Sequence, residues 1–327
     1  MNNYLWKSDL ASHMQQFLML KRMAGFKYER QTRRMERFDQ YCYDIGFIGD
    51  QLNMELVNDY CYSFPYERAC TRYEKEKLLS ELAEHLCTIG YPSYICGKKF
   101  ARKKIPYMPY IFSEEQLGKL FRAIDTHPSS RARSRSRHIV DGVLFRMIYG
   151  CGLRLSEALN LKLKHVDLNE GTLTILQSKN NKDRKIPMAK SLVDRCKKYS
   201  KEMHSFSGQD AYYFMTSFKN RIDNNTAYER FRNYLWHARI PHGGRGSGPR
   251  IHDLRHVFCI HCLKRWVLSG KDLTNLFPYL SVYMGHADFR GTQYYLRLTA
   301  DLYPDIIKKM EVALGYLIPE GGVHEKS

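Results

Sequence analysis

The sequence predicts a mainly α-helical chain with one small antiparallel β-sheet, arranged as two domains. Three observations predict it. Apolar residues recur at helical spacing along most of the 327 residues. Only the stretch from 166 to 188 breaks into short β-rich segments separated by turn residues. Residues 97–112 hold two prolines and five basic residues, which favours an extended, exposed segment over a packed helix. A chain of this length also exceeds what one small core organises.

The first domain is placed at residues 1–97. Leu10, Met14, Phe17, Leu18 and Met23 set a helical period over 8–23, and Met35, Phe38, Tyr41 and Cys42 set another over 29–44. Two more patterns run over 54–62 and 72–89, so four short amphipathic helices make a small bundle. Arg30, Arg33, Arg34 and Arg37 fall on the face of the second helix away from its apolar residues. Any one of them reads equally well as solvated surface. The linker is placed at 98–112, with Lys98, Lys99, Arg102, Lys103 and Lys104 in it.

The second domain, 113–327, opens on Ser113-Glu114-Glu115-Gln116, a capping box that starts a helix. Ser129 to Arg137 alternates Ser and Arg and has nothing to bury, so it reads as a loop. Ile139–Tyr149 is apolar on most sides, as a buried helix is. The glycines of Gly150-Cys151-Gly152-Leu153-Arg154 then permit a tight turn, and Arg154 begins the next helix. Free backbone amides at that start would add positive potential, and Glu157, three residues on, can orient Arg154. Strands are expected at 166–168, 172–177 and 184–188, with a polar turn, residues 178–183, between the last two. Helices follow over 189–203 and 224–238. Gly243–Arg250 is a glycine-rich loop without the strand and the Gly-Lys-Ser/Thr ending of a nucleotide-binding loop. A last helix is expected over 303–317.

Composition narrows the partner. The formal charge is +18 and the pI near 9.4, which favours a polyanion, nucleic acid first. A membrane surface is the rival, but mean hydropathy is −0.52 and no apolar run is long enough to span a bilayer, so a cytoplasmic, nucleoid-associated protein is expected. Nine cysteines without paired Cys-x-x-Cys spacing read as reduced core residues. His252, His256, Cys259, His261 and Cys262 cluster in sequence, yet they do not share one helix face and no second pair completes a tetrahedral set. No metal and no cofactor are expected, and His256 and Cys259 read as core.

The chemistry concentrates near the C-terminus. His252 and Arg255, three apart on a helix, can present an imidazole and a guanidinium to one phosphate. Gly285-His286 ends the next helical pattern and sets a second imidazole at a helix-to-loop junction. Tyr295 follows nine residues later as a candidate nucleophile. With Arg154 upstream, the order Arg, His-x-x-Arg, Gly-His, Tyr resembles the tyrosine recombinase (phage integrase) family. The phrase from Leu280 to His286 looks like its transposon-encoded branch.

The resemblance implies an N-terminal helical core-binding bundle, with Arg30 and Arg34 toward DNA, and a C-terminal catalytic domain. It implies linker contacts to the phosphate backbone by Lys98, Lys99, Arg102, Lys103 and Lys104, and a catalytic lysine in the 178–183 turn. Lys179 holds that position by order, with Lys182 as rival or further DNA contact. It also implies the catalytic set Arg154, Lys179, His252, Arg255, His286 and Tyr295, and a site-specific recombinase that cuts and rejoins strands through a 3′-phosphotyrosyl intermediate. Its partners would be a double-stranded recombination site, further copies in a tetrameric synapse and companion recombinases. The element served, by integration, excision or transposition, would be a mobile one. A type IB topoisomerase would share the chemistry, and a catalytically inactive DNA-binding regulator would share the fold.

Overall fold

The computed structural model describes residues 4–64, 66–96, 108–127, 136–176, 183–243 and 248–286, together with Thr292 and Tyr295. The chain divides into two compact units, Met1–Pro106 and Tyr107–Ser327.

The first unit is the expected bundle: α1 (Ala11–Met23), α2 (Glu29–Asp44), α3 (Met54–Tyr62) and α4 (Ala69–Thr88). Met14, Phe17, Met35, Phe38, Leu79, Leu82 and Leu86 make its interior. One buried acid stands inside. Asp39 accepts hydrogen bonds from Tyr4 Oη, the Lys7 and Ser8 amides and Ser8 Oγ at 2.6–3.0 Å, which satisfies its carboxylate and ties the N-terminal segment to α2. Arg30 and Arg34 both pair with Glu74 of α4, the former at 3.2 Å. The Arg34 charge is therefore partly met within the bundle, while the Arg30 side chain is 72% exposed.

The second unit opens on α5 (Glu114–Asp125), where Ser113 Oγ accepts from the Gln116 amide and Gln116 Oε1 from the Ser113 amide. The buried helix α6 (Arg137–Cys151) follows, then the one-turn α7 (Leu155–Leu159) and a 3₁₀ turn at Leu163–His165. Strands β1 (Val166–Asp167), β2 (Thr172–Ile175) and β3 (Arg184–Pro187) form one antiparallel sheet in that order, with Leu173 opposite both Val166 and Ile186. Each is shorter than its β-rich segment. Helices α8 (Lys190–Met203), α9 (Asn224–His237), α10 (Ile251–Leu268) and α11 (Leu273–Met284) complete the described elements. α10 is apolar on several sides because it packs between α6 and α11, with Leu254, Val257 and Ile260 fully buried.

One region had no element assigned to it. Between α8 and α9 the chain makes the bridges Lys162–Tyr212 and Met215–Arg221 and buries Tyr213 and Phe214. Bridges of one residue pair have no period to detect. No described helix is long and apolar enough to cross a membrane. Linker residues 98–107, the turn holding Lys179 and Lys182, residues 129–135 of the Ser/Arg stretch and the 303–317 helix lie outside the described residues. The rest of the expected linker, 108–112, lies outside any helix but is not exposed throughout, because Pro109 and Phe112 are buried and Phe112 packs into the core of the second unit, and Arg137 of the expected loop already begins α6.

Candidate active site

Three helix ends meet here. α6 stops at Gly152, whose φ of +59° is left-handed. A Cβ there would stand 2.6 Å from Phe258 and 2.8 Å from the Met284 sulfur, so glycine serves both conformation and close packing. α11 stops at Gly285, also left-handed at φ 65°. α10 starts at Arg250, whose amide donates to Asp253 Oδ2 at 2.7 Å. Arg255, in the second turn of α10, reaches both glycine corners. Its Nη1 donates to Gly152 O and its Nη2 to Met284 O, each at 2.6 Å. Arg154 Nη2 donates to Gly285 O at 3.1 Å. Carbonyls at helix C-termini lack intrahelical partners and carry partial negative charge, so they are suited to hold guanidiniums.

Glu157 is the hub of the charges. Its Oε1 accepts from Arg154 Nη1 at 2.6 Å and from Arg184 Nη1 at 3.1 Å. Its Oε2 accepts from Arg184 Nη2 at 2.8 Å and the Arg154 amide at 3.0 Å, and lies 3.9 Å from Arg255 Nη1. Burial pushes the carboxyl up, but the Arg184 hydrogen bond, the Arg154 amide and the charges of both arginines outweigh it, bringing it to about 2. Glu157 thus orients Arg154 as expected. One of the amides expected to be free at the start of α7, that of Arg154, is taken by Glu157.

The imidazoles and the phenol complete the pocket. The Tyr295 ring stacks on His286 at 6.0 Å between centroids, and its hydroxyl lies 2.8 Å from His256 Nδ1. His252 is exposed and stands edge-on to His256 at 4.7 Å. His286 Nδ1 lies 2.7 Å from Thr292 Oγ1. Burial lowers His256 to about 3, helped by the positive fields of His252, Arg255 and His286. Burial likewise lowers Arg255 to about 10, with Arg154 adding to the effect and Tyr295 and Glu157 opposing it. Both remain in their ordinary neutral-pH states, imidazole and guanidinium.

Five of the six expected catalytic residues are therefore gathered: Arg154, His252, Arg255, His286 and Tyr295. Lys179 lies outside the described residues, as do Lys182, Lys98, Lys99, Arg102, Lys103 and Lys104. Two departures stand out. Arg255 does not face outward beside His252; it is 1% exposed and turned into the protein. His256, read as core, is buried but spends a ring nitrogen on the candidate nucleophile. Sequence reasoning missed Arg184, which also donates from Nε to Tyr283 O at 2.9 Å. No local spacing marks Arg184, which lies 27 residues from Glu157 in the chain. Among the described residues no group of His, Cys, Asp and Glu is placed to hold a metal ion.

A family model, the phage integrase family, matches residues 111–301, more than half of the chain. The chain belongs to this family of tyrosine recombinases. It is 34% identical over 210 residues to y4rB of Sinorhizobium fredii (strain NBRC 101917 / NGR234), an integrase/recombinase by name, covering 62% of this chain and 66% of that one. It is 28% identical over 219 residues to the tyrosine recombinase XerA of Pyrococcus furiosus, covering 65% and 66%. The chain thus spans just under two thirds of the length of both relatives. Among solved structures, a lambda integrase dimer bound to a COC′ core site matches with a TM-score of 0.61 at 13% identity, over 87% of this chain and 94% of that one. At that identity the likeness is one of fold: a helical bundle followed by the recombinase catalytic domain.

Proposed function

We propose that this tyrosine recombinase cuts and rejoins DNA at a specific site with Tyr295 as nucleophile, serving the movement of a mobile element. One observation carries the reading. The Tyr295 phenol stands in the pocket of its own chain, against His256 and His286 and close enough to Arg255 for their charges to interact.

The chemistry follows from what a DNA phosphodiester lacks. Its charge repels nucleophiles, and its leaving alkoxide is poor. Arg154 meets the non-bridging oxygens with His286 beside it, and the Arg255 charge, buried just beneath, adds to the stabilisation of the pentavalent transition state. A phenol ordinarily titrates near ~10, so its proton must move to a base as attack proceeds. His252, exposed at the pocket, takes that role. The Tyr295 Oη–phosphorus bond forms, the bond to the 5′ oxygen breaks, and Lys179 protonates the departing oxygen. The product is a 3′-phosphotyrosyl link. One ester replaces another, so attack by a new 5′-hydroxyl reverses the step without ATP. Lys98, Lys99, Arg102, Lys103, Lys104, Lys182, Arg30 and Arg34 supply backbone contacts. Four copies at two sites complete the exchange, with companion recombinases as further partners.

A nicked suicide duplex carrying the DNA that flanks the encoding gene tests this. The protein should form a covalent adduct that maps to Tyr295, and Tyr295→Phe should form none. Junctions alongside adducts mark recombination, and adducts that only relax supercoils mark a topoisomerase. Tight binding with no adduct marks a regulator and overturns the reading.

A further inference from the structure

The nucleophile is held by a residue that the catalytic set above does not include. His256 Nδ1 is 2.8 Å from Tyr295 Oη, the rings are 5.3 Å apart, and both side chains are buried, Tyr295 to 3% exposure. His252 lies one turn earlier on α10, its ring 4.7 Å from that of His256 at 88°. Two imidazoles on adjacent turns thus divide into a buried one on the phenol and an exposed one.

We infer that His256 is a positioning residue for the recombination chemistry: it accepts the Tyr295 hydroxyl proton in a hydrogen bond and so fixes the phenol oxygen for attack. The inference rests on Tyr295 being the nucleophile.

Two features support acceptance rather than donation. A phenol donates readily, and a neutral imidazole protonated on its other nitrogen leaves Nδ1 free to accept. His252, Arg255 and His286, the cations and imidazoles facing His256, all oppose a proton on it, as does its burial. The same features keep a proton from resting on His256, so the proton released as attack proceeds passes on to the proposed base His252, whose ring is 4.7 Å away. Its work is geometric. Misplacing a reacting atom by about 1 Å costs on the order of 10²-fold in rate.

The test uses the full chain with the suicide duplex and the variants His256→Leu and His256→Asn. Leucine fills the space without an acceptor, whereas the asparagine amide oxygen falls near the place of Nδ1. The single-turnover rate of adduct formation should fall about 10²-fold in His256→Leu with duplex affinity unchanged. His256→Asn should recover most of the loss. A substrate with sulfur at the bridging 5′ position, which departs without needing a proton, should leave the His256→Leu defect in place, because the fault lies with the nucleophile. A fluorinated tyrosine at position 295 adds a readout independent of cleavage: its fluorine resonance should shift on His256→Leu and return toward the parent in His256→Asn. Equal loss in both variants with an unmoved resonance, or full activity in His256→Leu, overturns the inference. Absence of any adduct from the unaltered protein, with the resonance shift still present, would instead count against the proposed function.

Discussion

Glu157 gathers the charges of the site, since two arginines donate to its carboxylate and a third stands 3.9 Å away. Removing one partner of a buried ion pair strands the others, at about 3–5 kcal/mol. Glu157→Gln should therefore lower unfolding free energy by about that amount in urea titrations and slow adduct formation, because Arg154 loses its alignment. The pH dependence has a definite sign. Glu157 sits at about 2 in the folded chain against an ordinary 4.5, so its stabilisation is present above 4.5 and lost as pH falls toward 2. His256 is lowered from 6.5 to about 3, so the unfolded chain takes up a proton below 6.5 that the folded chain refuses. Stability should accordingly decline with acid across that window, and the slope of unfolding free energy against pH should be shallower in His256→Asn.

The helix ends matter more than the helix bodies. Gly152 and Gly285 close α6 and α11 in left-handed conformation and turn their carbonyl ends toward the guanidiniums. A Cβ at Gly285 would fall 2.8 Å from Arg184 Nη1, whereas one at Gly46, at nearly the same φ, would meet nothing within 4 Å. Both Gly→Ala changes carry the conformational penalty, about 1 kcal/mol. Only Gly285→Ala should also displace Arg184, so its melting temperature should fall further than that of Gly46→Ala and its adduct yield should drop. This level was largely open to sequence reading. The four helices of the first unit, the Ser113 capping box and the three-strand order all follow from periodicity and turn chemistry, and boundaries moved by only a few residues. The strand ends shortened because β-rich composition extends beyond the residues that find a hydrogen-bonded partner.

The charge of the whole molecule is +18, so the duplex binding proposed above should be largely a matter of released counterions. If the chain neutralises about 6–10 phosphates, affinity for a duplex should fall about 10³–10⁵-fold between roughly 50 and 200 mM salt, with log affinity linear in log salt. Fluorescence anisotropy on a labelled duplex would measure it, and a nearly flat dependence would contradict a phosphate-dominated interface. Replacing Lys98, Lys99, Arg102, Lys103 and Lys104 together by alanine should reduce that slope, which global charge alone would change little. Glu74 pairs with Arg30 and Arg34, so substitution of Arg34 should affect bundle stability as well as binding.

By itself, the sequence determined the fold class, the order of the elements and the family, because helical and strand periods are local and the Arg154, His252, Arg255, Gly285, His286 and Tyr295 pattern is written in linear spacing. Only the tertiary structure decided which side chains touch. The Arg184–Glu157 pair, the grip of Arg255 on Gly152 and Met284, and the bond between His256 and Tyr295 join positions 27, 103, 29 and 39 residues apart. No local period reaches that far. Such contacts arise when buried polar groups, barred from water, must find partners wherever the packing of α6, α10 and α11 places them.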